Sequence, residues 1–194
     1  MKEFLAQLRG AIFSTLILAV VCCGIYPLIV FGIGRAFADK ADGSLIVDAK
    51  GTVVGSKLIG QNFSAEKYFH PRPSSAGNNG YDSTSSSGSN LGPTSQKLAD
   101  AIKQNVADYR TQNGLATNAP VPADAVTGSA SGLDPHISVE NAQIQAARVA
   151  KARGLKVEDV KTLIAEYTDP AGFGFLGDPG VNVLRLNLAL DGLK

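Results

Sequence analysis

The sequence predicts an α+β protein, with a single N-terminal transmembrane helix followed by one mixed α/β soluble domain. Three observations carry that expectation. Gly10 to Gly34 holds no charged residue, and Arg9 and Arg35 are its nearest charges. Downstream, short β-branched runs precede several segments with helical spacing, and a late run alternates with period two. Setting aside the first forty or so residues leaves about 150, enough for one domain with its own core.

The span comes first. Roughly 20 apolar residues cross a hydrocarbon core of about 30 Å, so 10–34 is long enough to span with some tilt. The competing reading is a secretory signal, with Lys2 and Arg9 in its n-region and Ala36-Phe37-Ala38 as its cleavage site. Its apolar run would exceed the roughly 7–15 residues of a signal, which favours the anchor. Ala11, Thr15, Ala19 and Cys23 recur every four residues and define one helix face. Such small residues let a second membrane helix approach closely, although an apolar helix also scatters small residues by chance. Leu16, Ile17, Val20 and Val21 are assigned to lipid, and Pro27 is expected to kink the outer half.

The expected division is therefore a short tail at 1–9, the span at 10–34 and the domain at 35–194. Lys2 and Arg9 before the span balance Arg35 and Lys40 after it, so the positive-inside rule does not orient the chain. The simpler topology keeps the N-terminus in the cytoplasm and the domain outside the inner membrane.

Composition excludes some partners. The net charge is +1, and Lys2, Glu3 and Arg9 already account for it. The domain is thus near neutral, a poor match for nucleic acid. Both cysteines, Cys22 and Cys23, lie in the span, so the domain has neither a disulfide framework nor a thiolate metal site.

Within the domain, Leu45-Ile46-Val47 and Thr52-Val53-Val54 flank Asp48-Ala49-Lys50-Gly51 and read as a hairpin, which 58–63 extends. Tyr68 to Pro73 is extended, because its alternate prolines forbid helix. Ser74 to Ser95 has the composition of a linker, but its place inside a domain favours an ordered polar loop. Ser95 to Asn113 reads as a helix on Leu98, Ile102, Val106 and Tyr109, stopped by Gly114. Residues 120–127 read as loop leading into a short strand, and 128–136 as a second Gly/Ser loop. Ser138 caps a helix that buries Ala142, Ala146, Val149 and Ala150 and ends at Gly154. Val157, Val160, Leu163, Ile164 and Tyr167 stripe another helix, with Lys156 a weak start and Asp169-Pro170 its stop. Val181 to Leu188 reads as a strand.

The chemical motifs are weak. Gly172-Phe173-Gly174-Phe175-Leu176-Gly177 matches G-x-G-x-x-G, yet a helix precedes it and a strand follows, the reverse of a dinucleotide site. Ser64-Ala65-Glu66-Lys67 matches S-x-x-K without a K-T-G partner, and Ala130 stands where G-x-S-x-G needs serine. His70 and His136 with Asp134 offer metal-ligand types, but their spacing makes hydrogen-bonded loop histidines the plainer reading. Gln145 and Arg148 are taken as surface polar positions. From residues alone this is a membrane-anchored domain and a partner in a complex. No catalytic constellation is visible.

Several long stretches in this order resemble the C subunit of the Kdp potassium-transporting P-type ATPase. They are Tyr68 to Ser74, Ser89 to Ser95, Val121 to Thr127, Ser129 to Ser138, Arg148 to Arg153 and Val181 to Leu190. The resemblance implies an accessory, non-catalytic subunit needed for assembly and stability of an ATP-driven potassium importer. Its implied partners are a potassium-channel-like subunit, an ATP-hydrolysing subunit and, in some members, a small hydrophobic peptide. ATP and potassium would be handled by the complex, with no cofactor of this chain. The resemblance also implies a catalytic chaperone that raises ATP affinity, with Gln145 at the nucleotide. An extracytoplasmic domain cannot reach cytoplasmic ATP, so a cover over the channel-like subunit's entrance is the preferred expectation. Candidate contacts are Ala11, Thr15, Ala19 and Cys23 in the span and His70, Arg72, Asn90, Gly132, Asp134 and His136 in the domain. A single-span sensor or ligand-binding module is the alternative.

Overall fold

The computed structural model describes residues 2–48 and 50–192, so Ala49 of the expected hairpin turn and the chain ends lie outside the described residues. The chain divides into two compact units, Met1–Leu45 and Ile46–Lys194.

In the first unit, helix α1 covers Lys2–Val20, a π-helical turn covers Val21–Ile25, and helix α2 covers Tyr26–Arg35. The expected tail is thus helical from Lys2 onward. The continuous helical stretch Ala6–Arg35 contains an 18-residue window with a mean hydropathy of 2.7, none of which is buried. Pro27 lies in the first turn of α2. The π turn directly before it widens the backbone where proline has no N–H to give, which is how the chain accommodates the residue. Ala19 and Cys23 keep a common groove across this turn, and Leu16 and Val20, assigned to lipid, border it too. A short helix α3, Ala38–Ala41, follows, with Arg35 paired to Asp42 at 2.9 Å.

Strands β1 (Leu45–Val47) and β2 (Val53–Ser56) form the expected hairpin. Asp48 organises its turn, accepting from the amides of Lys50 and Thr52 at 2.8 and 2.9 Å. Residues 58–63 do not extend it. Gly60 instead donates to Leu133 O at 2.8 Å, and Gln61 Nε2 donates to Val54 O at 2.9 Å. A Cβ on Gly60 would lie 2.7 Å from Asp134 O, so this crossing requires glycine.

Helices α4 (Gln96–Gln112), α6 (Val139–Arg153) and α7 (Val157–Glu166) fall where the periodicity places them. Ser95 Oγ accepts from the Leu98 amide and Ser138 Oγ from the Asn141 amide, while left-handed Gly154 ends α6. Lys156 gives α7 no side-chain cap, and Glu158 and Asp159 in the first turn complement the helix dipole instead. Two further segments differ from expectation. Residues 123–126 form a helical turn, α5 (Ala123–Val126), rather than a strand. Asp124 on that turn accepts from the Ser138 amide, the Ser138 hydroxyl and Asn141 Nδ2, tying α5 to the start of α6.

The expected strand 181–188 is the second difference. Only Gly180–Asn182 is strand β5, and Val183–Gly192 is helix α8. Val183, Leu184, Leu186, Asn187 and Leu190 are buried, which is helical spacing read through a pattern that also fits period two. Asn182 Oδ1 decides between them by accepting from the Arg185 amide at 3.1 Å, as an N-cap does.

Strand β5 is central in a three-stranded antiparallel sheet, between β3 (His136–Ser138) and β4 (Thr168–Asp169). The core joins Phe69, Ile137, Val181 and Leu186 to the small face of α6 and to Val160 and Ile164 of α7. Alanines at 142, 146 and 150 bring α6 close to its neighbours. The fold is α+β with one apolar helix in front.

Candidate functional site

After a turn at 65–68, closed by the Tyr68 amide donating to Ala65 O, residues 69–73 run through the domain without a neighbouring strand. A buried extended segment must still satisfy its backbone polar groups, and here side chains do so. Asn187 of α8 accepts from the Phe69 amide at 2.8 Å and donates to Phe69 O at 3.0 Å. Gln145 of α6 does the same for the next residue, accepting from His70 N at 2.7 Å and donating to His70 O at 3.1 Å. Arg148 donates to Glu66 O and Tyr68 O, Arg153 to Lys67 O, and the Tyr81 hydroxyl to Arg72 O. Two helices and one loop thus act as a substitute strand.

Gln145 is only 1% exposed, which corrects its assignment as a surface position. Besides His70, its Oε1 accepts from Arg148 Nη2 at 2.7 Å and its Nε2 donates to Asn141 Oδ1 at 2.8 Å. Both lone pairs and both N–H groups are engaged inside the domain. Arg148, equally taken as a surface residue, is half-buried, and burial lowers its pKa. Sequence reasoning missed Asn141, Asn187 and Tyr109, the last donating to Asn141 Oδ1 at 2.8 Å.

The clamp holds His70 and Arg72 on the wall of a cleft of about 310 Å³, shared with Tyr81, Asn105 and Gln112. His70 Nε2 lies 3.2 Å from Ala65 O. Burial, and after it the charge of Arg148, lowers the pKa of His70 below its ordinary value of 6.5.

A second chain of contacts links four other elements. Arg72 pairs with Asp134 at 3.0 Å, Asp134 Oδ1 accepts from the His136 amide at 2.9 Å, and His136 Nε2 meets Asp169 at 3.0 Å. Asp169 in turn accepts from Arg185 at 3.0 Å. The imidazole reaches Asp169 by lying across Gly180 of β5, where a Cβ would stand 3.2 Å from His136 Cβ. Asp134, against the opposing effect of burial, and then Asp169 raise the pKa of His136 above 6.5. Burial pushes Asp134 the other way, but bonds from His136 and Arg72 outweigh it and hold the carboxyl below its usual range.

The two polar loops interlock. Ser74 Oγ donates to Gly132 O at 2.6 Å, Ser86 Oγ to Ser131 O at 2.9 Å, and Ser87 Oγ to Ser75 O at 2.7 Å. Gly132 is buried at φ 67, and a Cβ there would meet Ser87 O at 2.6 Å. This candidate contact residue is therefore the knot of the loops, and Asn90, exposed at φ 52, stands apart from it. Asp134, His136 and Arg72 come together, whereas His70 belongs to the Gln145 clamp. Among the described residues no group of three or more His, Cys, Asp or Glu side chains is placed to hold a metal ion.

The described residues thus join one apolar helix long enough to cross a membrane to a domain held together by polar side-chain contacts. Residues 8–192 match the family described as KdpC, the c chain of the K+-transporting ATPase. Proteins named Potassium-transporting ATPase KdpC subunit are similar throughout. That of Mycobacterium bovis is 55% identical over 96% of this chain and 98% of its own. That of Nitratidesulfovibrio vulgaris is 50% identical over 97% and 95%. That of Koribacter versatilis is 47% identical over 100% and 96%. The chain belongs to this family, and it is an accessory subunit of a potassium-transporting ATPase complex in a membrane.

Proposed function

We propose that the chain holds its complex together from outside the cytoplasm. The span packs on a membrane helix of a partner, and the domain covers the extracellular entrance of the channel-like subunit, joined to the ATP-hydrolysing subunit and, where present, the small hydrophobic peptide. The observation that carries this reading is the full internal engagement of Gln145. A nucleotide could hydrogen-bond to that amide only by displacing His70, Asn141 or Arg148, leaving buried polar groups unpaired at about 1–3 kcal/mol each. Any rise in ATP affinity then acts through assembly and not through a contact of Gln145 with nucleotide. Family membership likewise favours a transporter subunit over the single-span sensor.

Protease added to intact spheroplasts tests the side of the membrane. Digestion of the domain, with the N-terminal epitope protected, is the expected result. A domain protected until the membrane is permeabilised would overturn the proposal.

A further inference from the structure

The G-x-G-x-x-G segment connects β4 to β5 and has no part in the clamp or the loop knot. It folds into a tight turn in which Gly172 and Leu176 exchange both backbone hydrogen bonds at 2.8 Å. Gly174 and Gly177 have φ 82, and Phe173 itself adopts φ 51. A left-handed conformation is rare for a bulky side chain and is tolerated where the surrounding turn imposes it. The outcome is a tip with Phe173 91% exposed, Phe175 76% and Leu176 55%.

Area and charge narrow what covers it. A phenylalanine presents about 150–250 Å² of surface, so the tip offers ~400 Å². That matches the largest apolar patch of an ordinary monomer, a kind of patch that is often functional. It is about half of the ~800 Å² per partner that a free-standing stable interface needs. A self-association or a soluble partner held by this tip alone is therefore too small. The tip suits an interface already brought together by other contacts, as in a complex whose members share a membrane, where a tethered contact forms at high effective concentration. From Pro170 to Leu184 the one charged residue is Asp178, so the segment itself supplies no cation for anionic lipid phosphates.

We propose that Phe173 and Phe175 plug into an apolar socket on another subunit of the same transporter complex. The inference rests on the chain's place in that complex, and buried aromatic anchors of this kind dominate interface energetics.

The test uses the complete complex. Phe173 and, separately, Phe175 are replaced by the photo-crosslinking residue p-benzoylphenylalanine in the full chain, with Glu158 on α7 as an exposed control. After irradiation in native membranes, the expected product is a covalent adduct with a larger subunit, roughly tenfold above the control. Adducts with lipid alone, with a second copy of this chain, or none at all while the complex co-purifies intact would overturn the socket and leave the proposed function standing. Failure of the larger subunits to co-purify would overturn both. The double variant F173S/F175S supports the socket if it lowers complex yield while the domain's own melting transition stays unchanged, and an unchanged yield counts against it.

Discussion

Gln145 and Asn187 illustrate how a polar residue can be central to a fold. Each amide pairs with both backbone groups of one residue, and the two residues, His70 and Phe69, are adjacent. Gln145→Ala leaves a buried N–H and C=O of His70 without partners, and Asn187→Ala does the same at Phe69. Each change is expected to cost about 2–3 kcal/mol in urea denaturation of the detergent-solubilised protein. The double variant should lose less than the sum, because either single change already loosens the shared segment. Additive losses would show that the two clamps act independently. The histidines make a second expectation, with opposite signs. Stability from His136, whose folded pKa is raised, is fully present below 6.5 and is lost as pH climbs through that raised value. Stability from His70, whose folded pKa is lowered, is present above 6.5 and is lost as pH falls through the lowered value. H136N should therefore flatten the alkaline side of a stability–pH profile, and H70N the acidic side. A profile unchanged by either would remove these assignments. Gln145 was legible in principle, since it lies three residues after Ala142 and four before Val149, on the stripe that is buried. Its amide character hid it, because glutamine is mostly found exposed.

At the level of elements, what could be read and what could not have physical causes. Helices α4 and α6 carry a serine cap and a glycine stop around an unambiguous 3.6-residue stripe, so both were legible with their ends. Helix α8 was not, because Val183, Leu184, Leu186 and Leu188 satisfy period two nearly as well as period 3.6. The cap at Asn182, which accepts from the Arg185 amide, is a local signal that the strand-like run obscured, whereas burial of Asn187 against Phe69 is a tertiary fact that no local pattern announces. The knot at Gly132 was likewise visible as a glycine but not as a crossing point, since its partner Ser74 is 58 positions away. In the span, Ala19 and Cys23 border one groove together with Leu16 and Val20. Replacing Thr15 or Ala19 by Leu is expected to lower co-purification of the larger subunits severalfold, through lost helix–helix packing. Complex yield equal to wild type would mean that this face meets lipid.

Considered as a whole, the domain is closed by contacts between distant parts of the chain. The pairings of Asn187 with Phe69 and of Gln145 with His70 span 118 and 75 positions, and Tyr68 with Asp191 spans 123. Such pairings impose their loop-closure entropy before they return any stability, which slows folding. The substitute strand, furthermore, is supplied in part by α8, whose described residues end at Gly192. During synthesis Phe69 emerges more than a hundred residues ahead of Asn187, the amide that must receive it. The order of translation thus leaves the backbone of Phe69 unclamped until α8 has left the ribosome.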